Sequence, residues 1–418
     1  MPPHPLSRRR FLSHIGVGAV GVGPLLRASG RPPVLDRVAL GIVGVGSLGG
    51  GGHHLGRCLR MNDIDVLAVC DADSQRVDRA VAKTNGRAQG YRDFRRLLER
   101  SDLDAVLVVT PDHWHALHAV HACEAGFDVY CEKPLSLTVA GGREMANAAR
   151  RYGTVFQVGT QQRSDKRFRW ACELVRNGEL GKIREVRVCI GRGPEAAPMP
   201  NATPPTQLDW NMWLGPAPAV PYNQRRSHYT FRWFWDYSGG KMTDWGAHHH
   251  DIAQWALDME GSGPREVEAE GVWPQGNAYE TPVDFKVRYV YDNGVVMNTV
   301  SKGENGITFV GERGELFVSR GKISATAKEL LDKKVGTMPI QLYESTNHHA
   351  NFVQCIKERR DPASNVDAAH RTATVCHIGN IAMQVGRKLS WDPEAERFTG
   401  DDAANRLLAK PMRRPWSL

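Results

Sequence analysis

The hydrophobic pattern of the chain changes character near Gly159. Before it, Val38–Val43, Val66–Cys70, Asp104–Val109, Phe127–Tyr130 and Val155–Val158 are short, near-continuous apolar runs. Such runs are expected of strands covered on both faces of a parallel sheet. Between them Ser74–Thr84, Tyr91–Arg100, Ala116–Ala125 and Val139–Tyr152 read as helices. This alternation predicts an α/β unit of about 120 residues, a normal domain size. After Gly159, Arg167–Asn177 is helical, stops at Gly178, and is followed by a strand at Ile183–Ile190. Alternating runs then appear at Val267–Val272, Val283–Tyr291, Val295–Ser301, Ile307–Gly311 and Gly314–Val318, split by Asn-Gly and other glycine turns. That spacing predicts the hairpins of an open, mostly antiparallel sheet. Pro194–Tyr222 holds eight prolines and is expected to be a long loop, either a lid or an oligomer contact. Asn347–Arg359 and Asp367–Arg387 return to helical spacing and are expected to pack onto one of the domains.

The first run ends in a chemical signal. Val38–Gly49 reads V-A-L-G-I-V-G-V-G-S-L-G, a strand feeding a G-x-G-x-x-G turn at Gly44, Gly46 and Gly49. The first glycine permits the tight turn and the second lets backbone, here Ser47 and Leu48, approach a pyrophosphate. The third lets the next helix pack close. The second run ends in Asp71, twenty-two residues past Gly49, where an acid meets adenosine ribose hydroxyls. With no arginine directly beside it in sequence, Asp71 favours NAD over NADP. Gly49 to Gly52 are consecutive glycines followed by His53 and His54, so a loose first helical turn is expected. Further along, Thr110, Pro111 and His115 follow one strand, and Glu132 and Lys133 follow the next. Residues beyond strand C-ends line the ligand crevice of a parallel sheet.

Composition narrows the alternatives. Of the 418 residues, 41% are hydrophobic and 24% charged, which excludes a disordered chain. The net charge of +8 includes Arg8, Arg9, Arg10 and Arg27, so about +4 is spread over the remainder. Without a basic stripe or a recognition motif, no nucleic-acid partner is expected. The eight cysteines occur singly, which fits neither a zinc ribbon nor a disulfide framework. Residues 1–30 read as a twin-arginine export signal. Ser7-Arg8-Arg9-Arg10-Phe11-Leu12 precedes an uncharged stretch, Ile15–Leu26, and small residues at Ala28-Ser29-Gly30. That stretch is too short for a stable membrane anchor. A periplasmic or other extracytoplasmic location is expected, with the protein exported already folded.

A second constellation lies at Gly239-Gly240-Lys241-Met242-Thr243-Asp244-Trp245-Gly246-Ala247-His248-His249-His250-Asp251. With Thr243 as N-cap, Asp244, His248, Asp251 and Trp255 fall on one helical face. A carboxylate one turn from an imidazole can orient it for acid–base work. His248 is the expected acid or base, and Asp244 its orienting partner or a substrate ligand. Adjacent histidines point about 100° apart, so they cannot share one ion, and no metal is expected. Arg163, at the start of the second domain, is a candidate substrate contact. Trp235 could floor a sugar pocket, and His249 is either interfacial or substrate-facing.

These motifs together resemble the Gfo/Idh/MocA oxidoreductases, the family founded on glucose–fructose oxidoreductase and inositol dehydrogenase. The carriers are the glycine fingerprint, T-P-x-x-x-H at Thr110–His115, E-K-P at Glu132–Pro134 and D-x-x-x-H at Asp244–His248, over residues 37–390. The resemblance implies a Rossmann domain at 37–158 and a substrate and oligomerisation domain with an open antiparallel sheet at 159–390. Residues 391–418 are left as a tail. It places Lys133 near the nicotinamide and the substrate hydroxyl, often before a cis proline, and implies a dimer or tetramer. The expected activity is hydride transfer between a tightly held nicotinamide cofactor, NAD(P), and a sugar or cyclitol hydroxyl. The alternative is a redox-neutral, NAD-dependent glycoside hydrolase or lyase that oxidises its sugar transiently. The relatives best known for that chemistry tend to lack the E-K-P lysine.

Overall fold

The computed structural model describes residues 36–50, 53–332 and 336–418. The expected export signal lies outside the described residues. Six parallel strands form the first sheet: β1 Val38–Val43, β2 Ile64–Cys70, β3 Gln89–Tyr91, β4 Ala105–Val108, β5 Asp128–Cys131 and β6 Phe156–Val158, in the order β3-β2-β1-β4-β5-β6. Each step of that order is a parallel pairing. The strands are apolar on both faces because helices cover both; β4 and β5 are buried throughout.

The second sheet has nine strands. They are β7 Ile183–Cys189, β8 Glu266–Val272, β9 Asp284–Val290, β10 Val296–Val300, β11 Gly306–Gly311, β12 Gly314–Ser319, β13 Lys322–Ala325, β14 Leu389–Asp392 and β15 Arg397–Phe398. Their order is β13-β12-β11-β7-β10-β9-β8-β14-β15, and only β7 with β10 is parallel. Alternate residues of β9 are buried, so one face is core and the other polar, as the period-two pattern requires.

The sequence reading missed β3. Tyr91–Arg100 was expected to be helical, but Tyr91 closes β3, and the helix is shorter, Phe94–Leu98, capped by Asp93. Three residues carry no apolar run to detect. The helix expected at Ala116–Ala125 begins earlier, spanning Asp112–Glu124, with Pro111 at its N-cap. The consecutive glycines split the first crossover helix into Ser47–Gly50 and His54–Cys58. All eight cysteines are buried and free. Among the described residues, no helix is long and apolar enough to cross a membrane.

Two segments bind the halves together. The helix Val366–Val385 was expected on one domain but serves both. Val366, Ala369 and Ala373 enter the first domain's core, whereas Val375, Ile378 and Ile381 enter the second's. The proline-rich loop is irregular apart from the helix Trp210–Leu214, is followed by short 3-10 turns at Gln224–Arg226 and Thr230–Trp233, and lies on the end of β2. There Ser74 N–H donates to the Gln207 carbonyl at 2.9 Å, and Asp209 N–H to Ala72 at 3.0 Å. Of residues 391–418, expected as a tail, β15, the end of β14 and the side chains of Trp391, Phe398 and Ala404 belong to the second sheet and its core. Only the last residues fold back on the first domain, with Trp416 edge-on to Trp114 at 4.9 Å.

Gly44 has φ +90°, and a Cβ there would lie 2.4 Å from the Val109 carbonyl oxygen. Gly44→Ala is therefore expected to destabilise the first domain by at least on the order of 1–3 kcal/mol, the cost of the strained conformation alone. Chemical unfolding without added nucleotide measures this; an unchanged midpoint would contradict the packing.

Candidate active site

The C-terminal ends of β1, β2, β4 and β5 open into a cleft of about 1080 Å³, roofed by the proline-rich loop and the turns after it. Gly44, Gly46, Ser47, Leu48, Asp71, Thr110, Pro111, Glu132 and Lys133 line its floor, and Met212, Trp213, His228, Tyr229, Phe231 and Arg232 its roof. Gly49 sits beneath: a Cβ there would lie 1.7 Å from the Gly44 carbonyl oxygen, so the turn closes only over glycine. Asp71 accepts hydrogen bonds from the N–H groups of Val45 and Asp73, both at 3.0 Å. Burial pushes its carboxyl up, against the pull of Arg76. Sequence adjacency did not reveal Arg76, whose side chain crosses above Gly46 and bonds His228 in the roof. The glycine floor and Asp71 fit a dinucleotide lying along the strand ends.

At the other end, Glu132, Lys133 and a cis Lys133–Pro134 bond follow β5. Glu132 accepts from His54 Nε2 and from the Lys133 N–H, both at 3.1 Å. Gly159 makes room for it, since a Cβ there would lie 2.4 Å from Glu132 Oε1. Burial alone would push this carboxyl up, but the bond and charge of His54 and the charge of Lys133 hold it down at about 2. His54 Nδ1 lies 3.1 Å from His349 Nε2, extending the line of polar groups away from the cleft.

Lys133 Nζ donates to Asp244 Oδ1 at 2.7 Å and to the Asp244 carbonyl at 2.8 Å. Arg232 Nε approaches the same carboxylate at 3.4 Å. Burial opposes ionisation of Asp244, yet Lys133, Arg232 and Lys241 hold its carboxyl at about 2. The expected pairing of Asp244 with His248 does not form. Trp245 separates two helices, Gly240–Asp244 and Gly246–Ala256, so the two residues are not on one continuous helical face. Thr243 lies inside the first helix rather than capping it, its hydroxyl accepting from the Gly239 N–H. His248 is buried with Nδ1 unpartnered, and burial, Lys133 and Arg320 push its pKa well below the ordinary value. At neutral pH it is therefore an uncharged imidazole whose Nδ1 is free to hydrogen-bond.

Several expected contacts belong to the scaffold. His115 faces away from the cleft: its ring nitrogens meet the Pro134 and Thr110 carbonyl oxygens, each at 2.8 Å, tying the two site turns together. Arg163 is buried against Asp251, at 2.7 and 2.8 Å, and Glu260, at 2.6 Å, with its guanidinium over Trp255. It has no group left for a substrate. His249 is buried between Asn305 and Gln162, and His250 between Thr299 and Cys376. Trp235 lines a separate cavity with Lys410 and Asn380, and Trp114 and Trp213 are the indoles in the cleft. Among the described residues, no three His, Cys, Asp or Glu side chains are grouped to hold a metal ion. No role was expected for Arg232, for Arg320, or for Lys241 inside the Gly239–Asp251 constellation; their placement beside Asp244 and Trp245 distinguishes them.

A dinucleotide floor at one end and a lysine held by a carboxylate at the other form the working cleft of a nicotinamide-dependent oxidoreductase. The chain belongs to the Gfo/Idh/MocA oxidoreductase family: the model of its NAD-binding Rossmann fold matches residues 38–160, and that of its C-terminal alpha/beta domain residues 195–418. NAD is the cofactor. The uncharacterized oxidoreductase YrbE of Bacillus subtilis is 24% identical over 356 residues, covering 84% of this chain and 92% of its own. An inositol 2-dehydrogenase of Salmonella typhimurium is 32% identical over 170 residues, 40% of this chain and 49% of its own. A glycosyl hydrolase family 109 protein of Shewanella pealeana is 31% identical over 175 residues, 35% of this chain and 37% of its own. The last two matches thus span less than half of each relative. Among solved structures, the WlbA dehydrogenase of Bordetella pertussis, in complex with NADH and UDP-GlcNAcA, has TM-score 0.67 at 17% identity, covering 85% of this chain and 99% of that one. At that identity the likeness is one of fold.

Glu132 provides a pH test. Its carboxyl is held at about 2 in the fold against an ordinary 4.5, so its stabilisation is complete above pH 4.5 and is lost as the pH falls towards 2. Glu132→Gln is expected to lower stability at neutral pH by about 3 kcal/mol and to match the parent in strong acid. Urea unfolding across the acid range reads the gap; a gap independent of pH would contradict the assignment.

Proposed function

We propose that the protein transfers a hydride between a tightly held NAD and a hydroxyl-bearing carbon of a sugar or cyclitol. The observation that carries this reading is the Lys133–Asp244 pair at the cleft's end, 2.7 Å apart, with the uncharged His248 beyond Trp245. NAD supplies the hydride acceptor or donor. Lys133 and His248 handle the one proton that the hydroxyl loses on oxidation and regains on reduction, and Asp244 holds the lysine in place. Placement just past a strand end and the bond to Asp244 hold the Lys133 ammonium at the cleft, where it can donate a proton to a substrate oxygen and take one back. The roof formed by Trp213, Tyr229, Phe231 and Arg232 supports slow cofactor release. The names of the inositol and glucoside dehydrogenases among the relatives support the substrate class. The family resemblance supports a dimer or tetramer.

The redox-neutral glycoside hydrolase or lyase remains the second reading, favoured by the partial match to a family 109 protein. Lys133 favours the first. Lys133→Ala is expected to lower hydride transfer by about 10²- to 10⁴-fold, the usual worth of acid–base catalysis, with NAD affinity nearly unchanged. Stopped-flow reduction of bound NAD beside calorimetric NAD titration reads both; turnover within a few-fold of the parent would remove Lys133 from the reaction. Net hydrolysis of a glycoside without added NAD would favour the second reading.

We also propose that the chain leaves the cytoplasm by the twin-arginine route, on the strength of Arg8-Arg9 and the uncharged stretch after it. In a host with that translocase, a shortened periplasmic form is expected, and Arg8→Lys with Arg9→Lys should leave the full-length chain in the cytoplasm. Unchanged distribution would contradict the route.

A further inference from the structure

Charge around the Lys133–Asp244 pair, beside the cleft, does not balance. Lys133, Arg232, Lys241 and Arg320 all act on one carboxylate, Asp244. Lys133 and Arg232 take that carboxylate, at 2.7 and 3.4 Å. Glu132, the other acid nearby, is already engaged by His54 and the Lys133 N–H. Lys241 and Arg320 are left without an ion pair among the described residues. Both lie against one aromatic ring: Lys241 Nζ is 5.6 Å and the Arg320 guanidinium carbon 4.6 Å from the Trp245 centroid. They arrive from different elements, the helix Gly240–Asp244 and the turn between β12 and β13, so local sequence does not force the meeting. Arg163, by contrast, is buried and satisfied by Asp251 and Glu260. Half-buried Lys241 is instead pushed down by burial and by Lys133, with Asp244 pulling the other way. Arg320 is exposed and Lys241 half-buried, so two unpaired charges of one sign meet over one ring and together attract an anion.

We propose that the substrate is an anionic sugar, whose carboxylate or phosphate sits on Arg320 and Lys241 while its C–H face lies on Trp245. This inference rests on the oxidoreductase reading for the position of the reacting hydroxyl, which then falls between Trp245 and Lys133. Arg320 offers a planar fork of donors and Lys241 a point charge, a combination suited to an oxyanion. Arg320 also donates from Nε to Gln162 Oε1 at 3.1 Å, which anchors the guanidinium without neutralising it.

The test uses the NAD-loaded full protein and matched probes: D-glucuronate with D-glucose, D-galacturonate with D-galactose, and D-glucose 6-phosphate. Binding is read by tryptophan fluorescence and calorimetry, and chemistry by reduction of the bound nicotinamide. At least one anionic probe is expected to bind about tenfold or more tighter than its neutral partner. That preference should shrink with added salt and largely vanish in Arg320→Gln/Lys241→Gln, with NAD affinity unchanged. A preference for an acid identifies a carboxylate, and one for the phosphate ester a phosphate. Anion-selective binding that the double variant abolishes, with no hydride transfer from any probe, would uphold this inference and overturn the oxidoreductase reading. Neutral sugars that bind and react as well as their anionic partners would overturn the inference alone. Anion binding that survives in the double variant would also overturn it.

Discussion

The ion pair between Lys133 and Asp244 joins the two halves of the molecule at the point where chemistry is possible. Lys133 ends a strand of the parallel sheet, and Asp244 ends a helix lying over the mixed sheet. Their side chains are only 12% and 15% exposed, so neither charge is well solvated without the other. Losing one partner of such a pair leaves a largely buried charge, which costs far more than a surface bridge. The pair therefore fixes the separation of cofactor floor and substrate floor as well as the orientation of the lysine. His115 secures the same geometry from behind, bridging the turns after β4 and β5.

Around that pair the rest of the chain serves closure. Val366–Val385 is shared by both cores, so the domains cannot separate without exposing apolar surface on each. The proline-rich loop reaches from the mixed sheet to β2 and roofs the dinucleotide floor. The tail fastens on the outside, where Arg413 N–H donates to the Pro216 carbonyl at 2.9 Å and Trp416 packs against Trp114. Segments remote in sequence thus converge on one cleft, from which water can be excluded and electrostatics strengthened.

The parts legible in the sequence were those written in local pattern. The runs ending before Gly44 and Asp71, at Val109 and at Tyr130 marked the strand ends to within one residue, and E-K-P marked the lysine, because each depends on a few adjacent residues. β3 was illegible because three residues, one a glycine, show no periodicity. The helix over Asp244 and His248 was misread because its break at Trp245 follows from tertiary packing, which local spacing does not encode. Arg163 looked like a substrate contact until Asp251 and Glu260, remote in sequence, were seen to enclose it. Arg320, outside any motif, and Lys241, inside the Gly239–Asp251 constellation but without an assigned role, were missed for the converse reason: their interest lies in the acids they fail to meet.

The central claim is that one cleft carries NAD from Asp71 to the Lys133–Asp244 pair. A crystal structure of the protein with NAD tests it most directly. The account predicts the adenosine ribose at Asp71, the pyrophosphate over Gly46 and the nicotinamide ring beside Lys133, with Lys133 still bonded to Asp244. A nicotinamide directed away from Lys133, or a dinucleotide bound outside the roofed cleft, would contradict it.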